Sequence, residues 1–352
     1  MPVLDAIVRD LVELASIPAP TGDEGARLAW LERRLASAAG TRERDAAGSL
    51  VWRGAPGRPA VAVLAHVDTV FPADVPHAPR RDGDALVGPG VGDNAAAVAV
   101  CVHVVEELLA ADPGLPLAAV CTVGEEGLGN LRGAREAVRS LRPDAVIALE
   151  GHGIEQVLVD AVGSVRARVV ARGPGGHSWA DRGRPSAIHA LLELGAALVR
   201  LGDREAPVNV GSIAGGGAVN AIAESAELVV ERRALDEPPL VSFLAELERL
   251  AAAAPLDVAV EVVGRREAGR LPRDARLLRV VEAARGELGL ELVLGAGSTD
   301  ANAAIAAGIP AVTLGVTSGT GMHTPGERIR VEPLALGARQ LALVLRRLLA
   351  DG

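Results

Sequence analysis

The sequence predicts an α/β layered fold interrupted by a smaller α+β domain, and three observations carry that reading. Valine-rich apolar runs of strand length alternate with helical patterns at both ends of the chain, as in layered α/β proteins. Near Val162 that alternation gives way to a different order of elements, and it later resumes. The run Ala60-Val-Ala-Val-Leu-Ala-His66-Val-Asp68 reads as a buried parallel strand ending in two polar groups, and strand ends are where parallel sheets place their chemistry.

In chain order, residues 3–16 put Leu4, Val8, Leu11 and Ala15 on one helical face and stop before Pro18. Thr21 and Glu24 have capping-box spacing, so a second helix is expected from there to about Ala39, closed by Gly40. Strands are expected at 48–53, 60–66, 117–123 and 145–149, with a helix at 95–110. From Val162 the pattern is a strand at 163–171, a helix at 185–201, strands at 207–213 and 226–233, a helix at 239–254 and a strand at 256–263. That β-α-β-β-α-β order is the ferredoxin-like split unit. The chain then returns to α/β: helix 274–288, strand 291–294, helix 301–307, strand 310–314 and helix 334–349. The domains are therefore drawn as 1–161 and 269–352 for the larger one, with 162–268 inserted into it.

Composition excludes some partners. The chain has 352 residues, no lysine and a net charge of −9 with no basic tract, so nucleic acid is not an expected partner. No run of 18 uncharged apolar residues occurs, and the N-terminus lacks a basic stretch followed by an apolar one, so no membrane is expected and the cytoplasm is the expected location. Cys101 and Cys121 lie in apolar runs and read as buried free thiols.

Polar groups gather at the expected strand ends. His66 and Asp68 are two apart and share a face of an extended chain. Asp93 lies in the glycine-rich turn Gly88-Pro-Gly-Val-Gly-Asp93-Asn94 that opens a helix. Glu125 and Glu126 follow one strand, Glu150 ends another, and His323 follows the strand at 310–314. Each has an ordinary reading by itself: a loop histidine, a tight turn, a solvated edge. Adjacent carboxylates after an apolar strand repel unless a cation lies between them. Together the residues form a plausible two-metal site, because Zn²⁺ accepts imidazole and carboxylate ligands and one carboxylate can bridge two ions.

The segments His66-Val-Asp68-Thr-Val, Gly-Val-Gly-Asp93-Asn, Gly-Glu125-Glu126-Gly, Glu150 and the late His323 resemble the M20 family of metallopeptidases, in order and over nearly the whole chain. The resemblance implies a zinc-peptidase-like catalytic domain carrying an inserted lid and dimerisation domain. It implies two divalent ions, Zn²⁺ first and Co²⁺ or Mn²⁺ as alternatives. His66 and Glu150 would hold one, Glu126 and His323 the other, and Asp93 would bridge them. Asp68 would orient His66, and Glu125 would be the general base. The Asp93–Asn94 peptide bond would be cis. In the inserted domain, His177 would donate to the oxyanion across a homodimer, while Asn220 and Arg233 would bind a substrate carboxylate. Where the family usually has Asp-x-Arg this chain has Glu231-Arg232-Arg233, which leaves open which arginine faces the substrate. Gly297-Ser-Thr-Asp300-Ala-Asn302 resembles a substrate-side loop.

The implied activity is hydrolysis of an amide bond in small peptides, with N-acyl amino acids or a carboxypeptidase substrate as alternatives within the family. Two other classes compete. Gly176-His-Ser178-Trp-Ala180 approaches the G-x-S-x-G elbow of serine hydrolases, although the following Asp181, Gly183 and Pro185 delay any helix. A non-catalytic binding relative is the other. Of the remaining histidines, His103 and His189 fall within helices, His77 in a proline-rich loop, and His152 two residues past Glu150.

Overall fold

The computed structural model describes residues 2–350, and the chain divides into two compact units. The larger comprises residues 1–161 and 270–352; the smaller is Val162–Gly269.

The larger unit is built on a mixed sheet. Its strands run in the order Thr41–Arg44, Leu50–Arg53, Leu117–Thr122, Val61–His66, Ala145–Glu150, Ala311–Gly315 and Val157–Ala161. The strands from Leu117 through Gly315 in that order are mutually parallel, so their C-terminal ends share one edge. In that register His66 faces Thr122, and Glu150 faces Gly315. Alternate side chains of one strand point to opposite faces. Val63 and Ala65 therefore join one apolar layer, and Ala62 and Leu64 the other. The first layer is covered by Pro2–Ala15, Gly25–Arg34, Ala97–Ala111, Arg276–Glu287 and Pro333–Ala350; the second by Arg132–Leu141 and Ala301–Ala306. Both faces being covered, the strand Val61–His66 is buried throughout, which is why its sequence is apolar without alternation.

Several elements differ from expectation. The second helix is Gly25–Arg34, and no capping box forms. The Thr21 hydroxyl donates to Asp68 instead, and Glu24 accepts from the Gly22 N–H. Gly40, at φ +87°, turns the chain into the strand Thr41–Arg44, which the sequence reading passed over. The helix Arg132–Leu141 was also missed: only small and medium residues (Ala134, Ala137, Val138, Leu141) mark its buried face. A small sheet of Gly319–Thr320, Arg328–Arg330, Ala85–Val87 and Arg80–Asp82 was missed because its strands are two or three residues long. The segment Val91–Ala111 is long and apolar enough to cross a membrane by composition, with a mean hydropathy of 1.6. It lies largely buried in this unit's core, and its regular helix is Ala97–Ala111. Cys101 and Cys121 are buried and unbridged, and burial pushes both thiols up, Cys121 to about 12.

The smaller unit is a four-stranded antiparallel sheet in the order Val208–Gly215, Ser225–Ala234, Gly163–Arg172, Asp257–Arg266, with the helices Ala187–Val199 and Glu237–Ala252. Val165, Ala167 and Val169 pack with Leu191, Phe243 and Leu247 in its own core. The opposite face carries charges paired across strands, such as Arg166 with Glu231 at 3.0 Å. Ser164 and Arg266, near the two ends of the unit, are register partners on adjacent strands.

Candidate active site

The parallel strands deliver the site. His66 is the last residue of its strand and is 2% exposed. Its Nε2 lies 3.0 Å from Asp93 Oδ1 and 3.6 Å from Glu150 Oε2. Its Nδ1 is 3.1 Å from the Asp68 backbone carbonyl and 3.6 Å from the Asp68 carboxylate, so the main chain is the nearer partner. The Asp68 carboxylate, fully buried, has other work: Oδ1 accepts the Glu125 N–H at 3.0 Å, and Oδ2 accepts the Glu126 N–H at 2.9 Å and the Thr21 hydroxyl at 2.9 Å. It ties the end of one strand to the loop that follows its parallel neighbour.

Asp93 and Asn94 lie in a turn ahead of the helix Ala97–Ala111, with dihedrals outside the helical region, and the peptide bond between them is cis. The Asn94 side chain donates to the Leu149 carbonyl at 2.8 Å, fixing the turn to the neighbouring strand end. Asp93 Oδ2 lies 3.0 Å from His323 Nε2, which is also 3.1 Å from Glu126 Oε1. One carboxylate therefore faces an imidazole with each oxygen, and each imidazole has a second carboxylate beside it.

Electrostatics test whether cations fit here. Ligand atoms in each of the sets His66–Asp93–Glu150, His66–Glu125–Glu126 and Asp93–Glu126–His323 lie within 4.8 Å of one another. Two like charges about 4 Å apart repel by about 4 kcal/mol even at an effective dielectric constant of about 20. The acidic groups are compensated here by the imidazoles. Burial alone would lower His66, but hydrogen bonding to Asp68, Asp93 and Glu150 overrides it and holds the ring well above the ordinary histidine value. Hydrogen bonds to Asp93 and Glu126 lift His323 to about 10. Burial raises Asp93, yet the two histidines pull it far below the carboxylate range. Burial raises Glu150, with Asp93 and Asp300 adding repulsion against the opposing pull of His66. Four carboxylates gathered around two imidazoles form a donor set that cations suit, and a bound metal would displace the proton of each imidazole nitrogen that it occupies. The donor set of imidazole and carboxylate matches Zn²⁺ and its neighbours.

The residues named from the sequence thus divide. His66, Asp68, Asp93, Glu125, Glu126, Glu150 and His323 come together in the larger unit. His177, Asn220 and Arg233 lie in the smaller one. His177 is exposed on the short strand Gly176–His177, and its Nδ1 accepts the N–H groups of Trp179 (3.1 Å) and Ala180 (3.3 Å). The Asn220 carbonyl accepts the Ser178 N–H at 2.9 Å. Arg232 is buried and donates to the Leu201 carbonyl, whereas Arg233, 42% exposed in its side chain, donates to Glu231. No elbow surrounds Ser178: the strand Gly176–His177 pairs antiparallel with Ala221–Ile222, and the next helix begins only at Ala187. Asp300 is buried and accepts from Thr122 at 2.5 Å. His103 pairs with Asp10 at 2.8 Å, and His77 faces the Pro72 carbonyl at 3.2 Å.

Two supporting residues, Arg27 and Glu327, escaped the sequence reading, and a third, Glu24, was expected only as a helix cap. Glu24 accepts N–H groups from both Gly22 and Gly124, bracing the loop that carries Glu125. Arg27 is buried, donates to the Ile17 and Val67 carbonyls, and is lowered to about 10 by that burial. Glu327 contacts Asp93 and His152. Nothing local marked Arg27 or Glu327. The only hint was a charged residue in a segment otherwise destined for the interior.

A [LysW]-lysine hydrolase of Deinococcus radiodurans is 30% identical over 97% of this chain and 96% of its own length. A probable carboxypeptidase of Paracoccidioides brasiliensis is 29% identical, and the match spans 52% of this chain but only 47%, about half, of that protein. A tripeptidase structure from Staphylococcus aureus superposes with a TM-score of 0.80 at 22% identity, covering 99% of both chains. The profile of peptidase family M20/M25/M40 matches residues 62–347, a span that holds every residue of the cluster, and the chain belongs to that family of metal-dependent hydrolases.

Proposed function

We propose that this chain hydrolyses the amide bond of small peptides, di- and tripeptides first, at a centre of two divalent ions, Zn²⁺ being the first choice. The observation that carries the reading is Asp93, with each oxygen 3.0 Å from a different histidine. His66 and Glu150 would hold one ion, His323 and Glu126 the other, and Asp93 would bridge. Ions held there would supply Lewis acidity toward the scissile carbonyl and would lower the pKa of the attacking water toward ~7. Glu125 takes the proton of that water and hands it to the leaving amine. Asp68 supports the base by fixing the backbone N–H of Glu125 and of Glu126.

The smaller unit's residues fit the remaining roles. Because His177 Nδ1 accepts two backbone N–H groups, the neutral ring carries its proton on Nε2 and can donate it to a developing oxyanion. In this reading that donation is made to the partner subunit of a homodimer. Arg233, more accessible than Arg232, binds the substrate's free carboxylate with Asn220.

An alternative set of nearby ligand atoms, His66 with Glu125 and Glu126, would make Glu125 a ligand. Glu125→Ala separates the two roles. As the general base, its loss leaves two bound ions by elemental analysis and lowers kcat by about 10²–10⁴. Loss of an ion would refute the assignment. The substrate is settled by a panel of di- and tripeptides beside N-acetyl and N-succinyl amino acids. Lysine-terminated substrates belong in it because the relative matched over almost the full chain is named for a lysine joined to LysW. Turnover of N-acyl amino acids alone would favour a deacylase.

A further inference from the structure

The loop carrying His323 continues as Thr324-Pro-Gly-Glu327-Arg328. The Glu327 side chain is 0% exposed; it pairs with His152, and the buried Arg27 guanidinium adds a favourable charge interaction at longer range. Its Oε1 accepts two hydrogen bonds at once, from the Asp93 backbone N–H at 2.9 Å and from His152 Nε2 at 2.5 Å. Its backbone carbonyl accepts the Gly88 N–H at 2.9 Å. The turn Gly88–Asp93 is thus gripped at both ends by one residue, which itself stands four positions after His323. His152, the second donor, stands two positions after Glu150. The arrangement leaves no room for slack: a Cβ on Gly92 would overlap His152 Nε2 and come within 2.6 Å of Glu327 Oε1, and one on Gly151 would overlap the Gly92 carbonyl.

A buried carboxylate is an expensive filler, and an apolar side chain of that size would do as well for packing alone. What an apolar residue cannot do is accept the Asp93 N–H. We infer that Glu327 is a positioning residue: together with His152 it locks the Asp93 turn and the His323 loop in one register, so that both oxygens of the Asp93 carboxylate face the two cation positions. The inference rests on the two-ion reading above. Hydrogen-bond partners behind metal ligands are worth 10–100-fold in metal affinity.

Metal-free protein is titrated with Zn²⁺ against a chromogenic chelator, and Co²⁺ uptake is followed by visible absorption, for the parent, Glu327→Ala, Glu327→Gln and His152→Ala. Far-ultraviolet circular dichroism verifies folding. Glu327→Ala is expected to bind at least one ion about 10–100-fold more weakly, with a changed Co²⁺ spectrum. Glu327→Gln, which keeps an acceptor oxygen for the Asp93 N–H, is expected to recover most of the affinity, and His152→Ala to fall between. If Glu327→Ala does not fold, weakened binding by His152→Ala with near-parental binding by Glu327→Gln supports the inference. Parental affinities and spectra in both alanine variants would overturn it, as would Glu327→Gln binding as weakly as Glu327→Ala. Uptake of fewer than two ions by the parent protein would overturn the two-ion reading, and the inference with it, before any variant is compared.

Discussion

At the scale of single residues, the site is a chain of acceptors placed where backbone donors would otherwise be buried alone. Asp68 shows this best, since it satisfies two successive N–H groups of the loop after Thr122 as well as a hydroxyl. Asp68→Ala leaves those donors buried without a partner, at about 1–3 kcal/mol each. Chemical denaturation is expected to show a loss of at least about 2 kcal/mol, and kcat a fall larger than that of KM. The ligand-type residues were legible in the sequence because strand ends and glycine-rich turns advertise themselves, and the family resemblance named them in order. Glu327 was not, because its partners Asp93 and His152 lie far along the chain and hydrogen bonding to a backbone N–H leaves no periodicity. The same limit hid the use of Asp68: spacing placed its side chain beside His66, yet the Asp68 carbonyl is the nearer acceptor for the imidazole.

At the scale of elements, apolar runs and short connections made the central strands readable, and the long helices Pro2–Ala15 and Pro333–Ala350 followed from their apolar faces. The edge strand Thr41–Arg44 was hidden, since Thr-Arg-Glu-Arg has no apolar signal and pairs only because Leu50–Arg53 lies beside it. Burial on both faces makes the strand ending at His66 sensitive to volume. Leu64→Ala is expected to cost about 2–5 kcal/mol, read from the midpoint of urea unfolding. Three helices are also joined through charge: Arg34 donates to Asp10 at 2.8 Å and to Glu106 at 2.9 Å, and His103 meets Asp10. Burial raises Asp10, but the hydrogen bonds to His103 and Arg34 outweigh it and hold the carboxyl below its ordinary 3.8. A lowered carboxylate value gives stability that is present above the unfolded value and lost as pH falls through the folded one. Asp10→Asn should therefore cost about 1 kcal/mol at neutral pH. That difference should shrink below about pH 4 in thermal scans run across the acid range.

At the scale of the molecule, every proposed metal ligand belongs to the larger unit, so ion binding should stabilise that unit alone. At 100 times Kd a ligand adds about 2.7 kcal/mol to the state it binds. Calorimetry before and after chelation should move one transition by several degrees and leave the transition of the smaller unit in place; a shift of both would refute the assignment. The change of pattern at Val162 was visible because a β-α-β-β-α-β order is a complete unit in itself, whereas the resumed α/β pattern makes sense only as the continuation of what preceded it. The pairing of Ser164 with Arg266 has a topological consequence. A segment whose first and last strands are neighbours asks its host for a doorway no wider than a hairpin, and such a segment can be removed or transplanted without pulling the surrounding chain apart. Residues 162–269 expressed alone should melt cooperatively on their own, and the host closed by a short turn across the gap should still fold around its sheet.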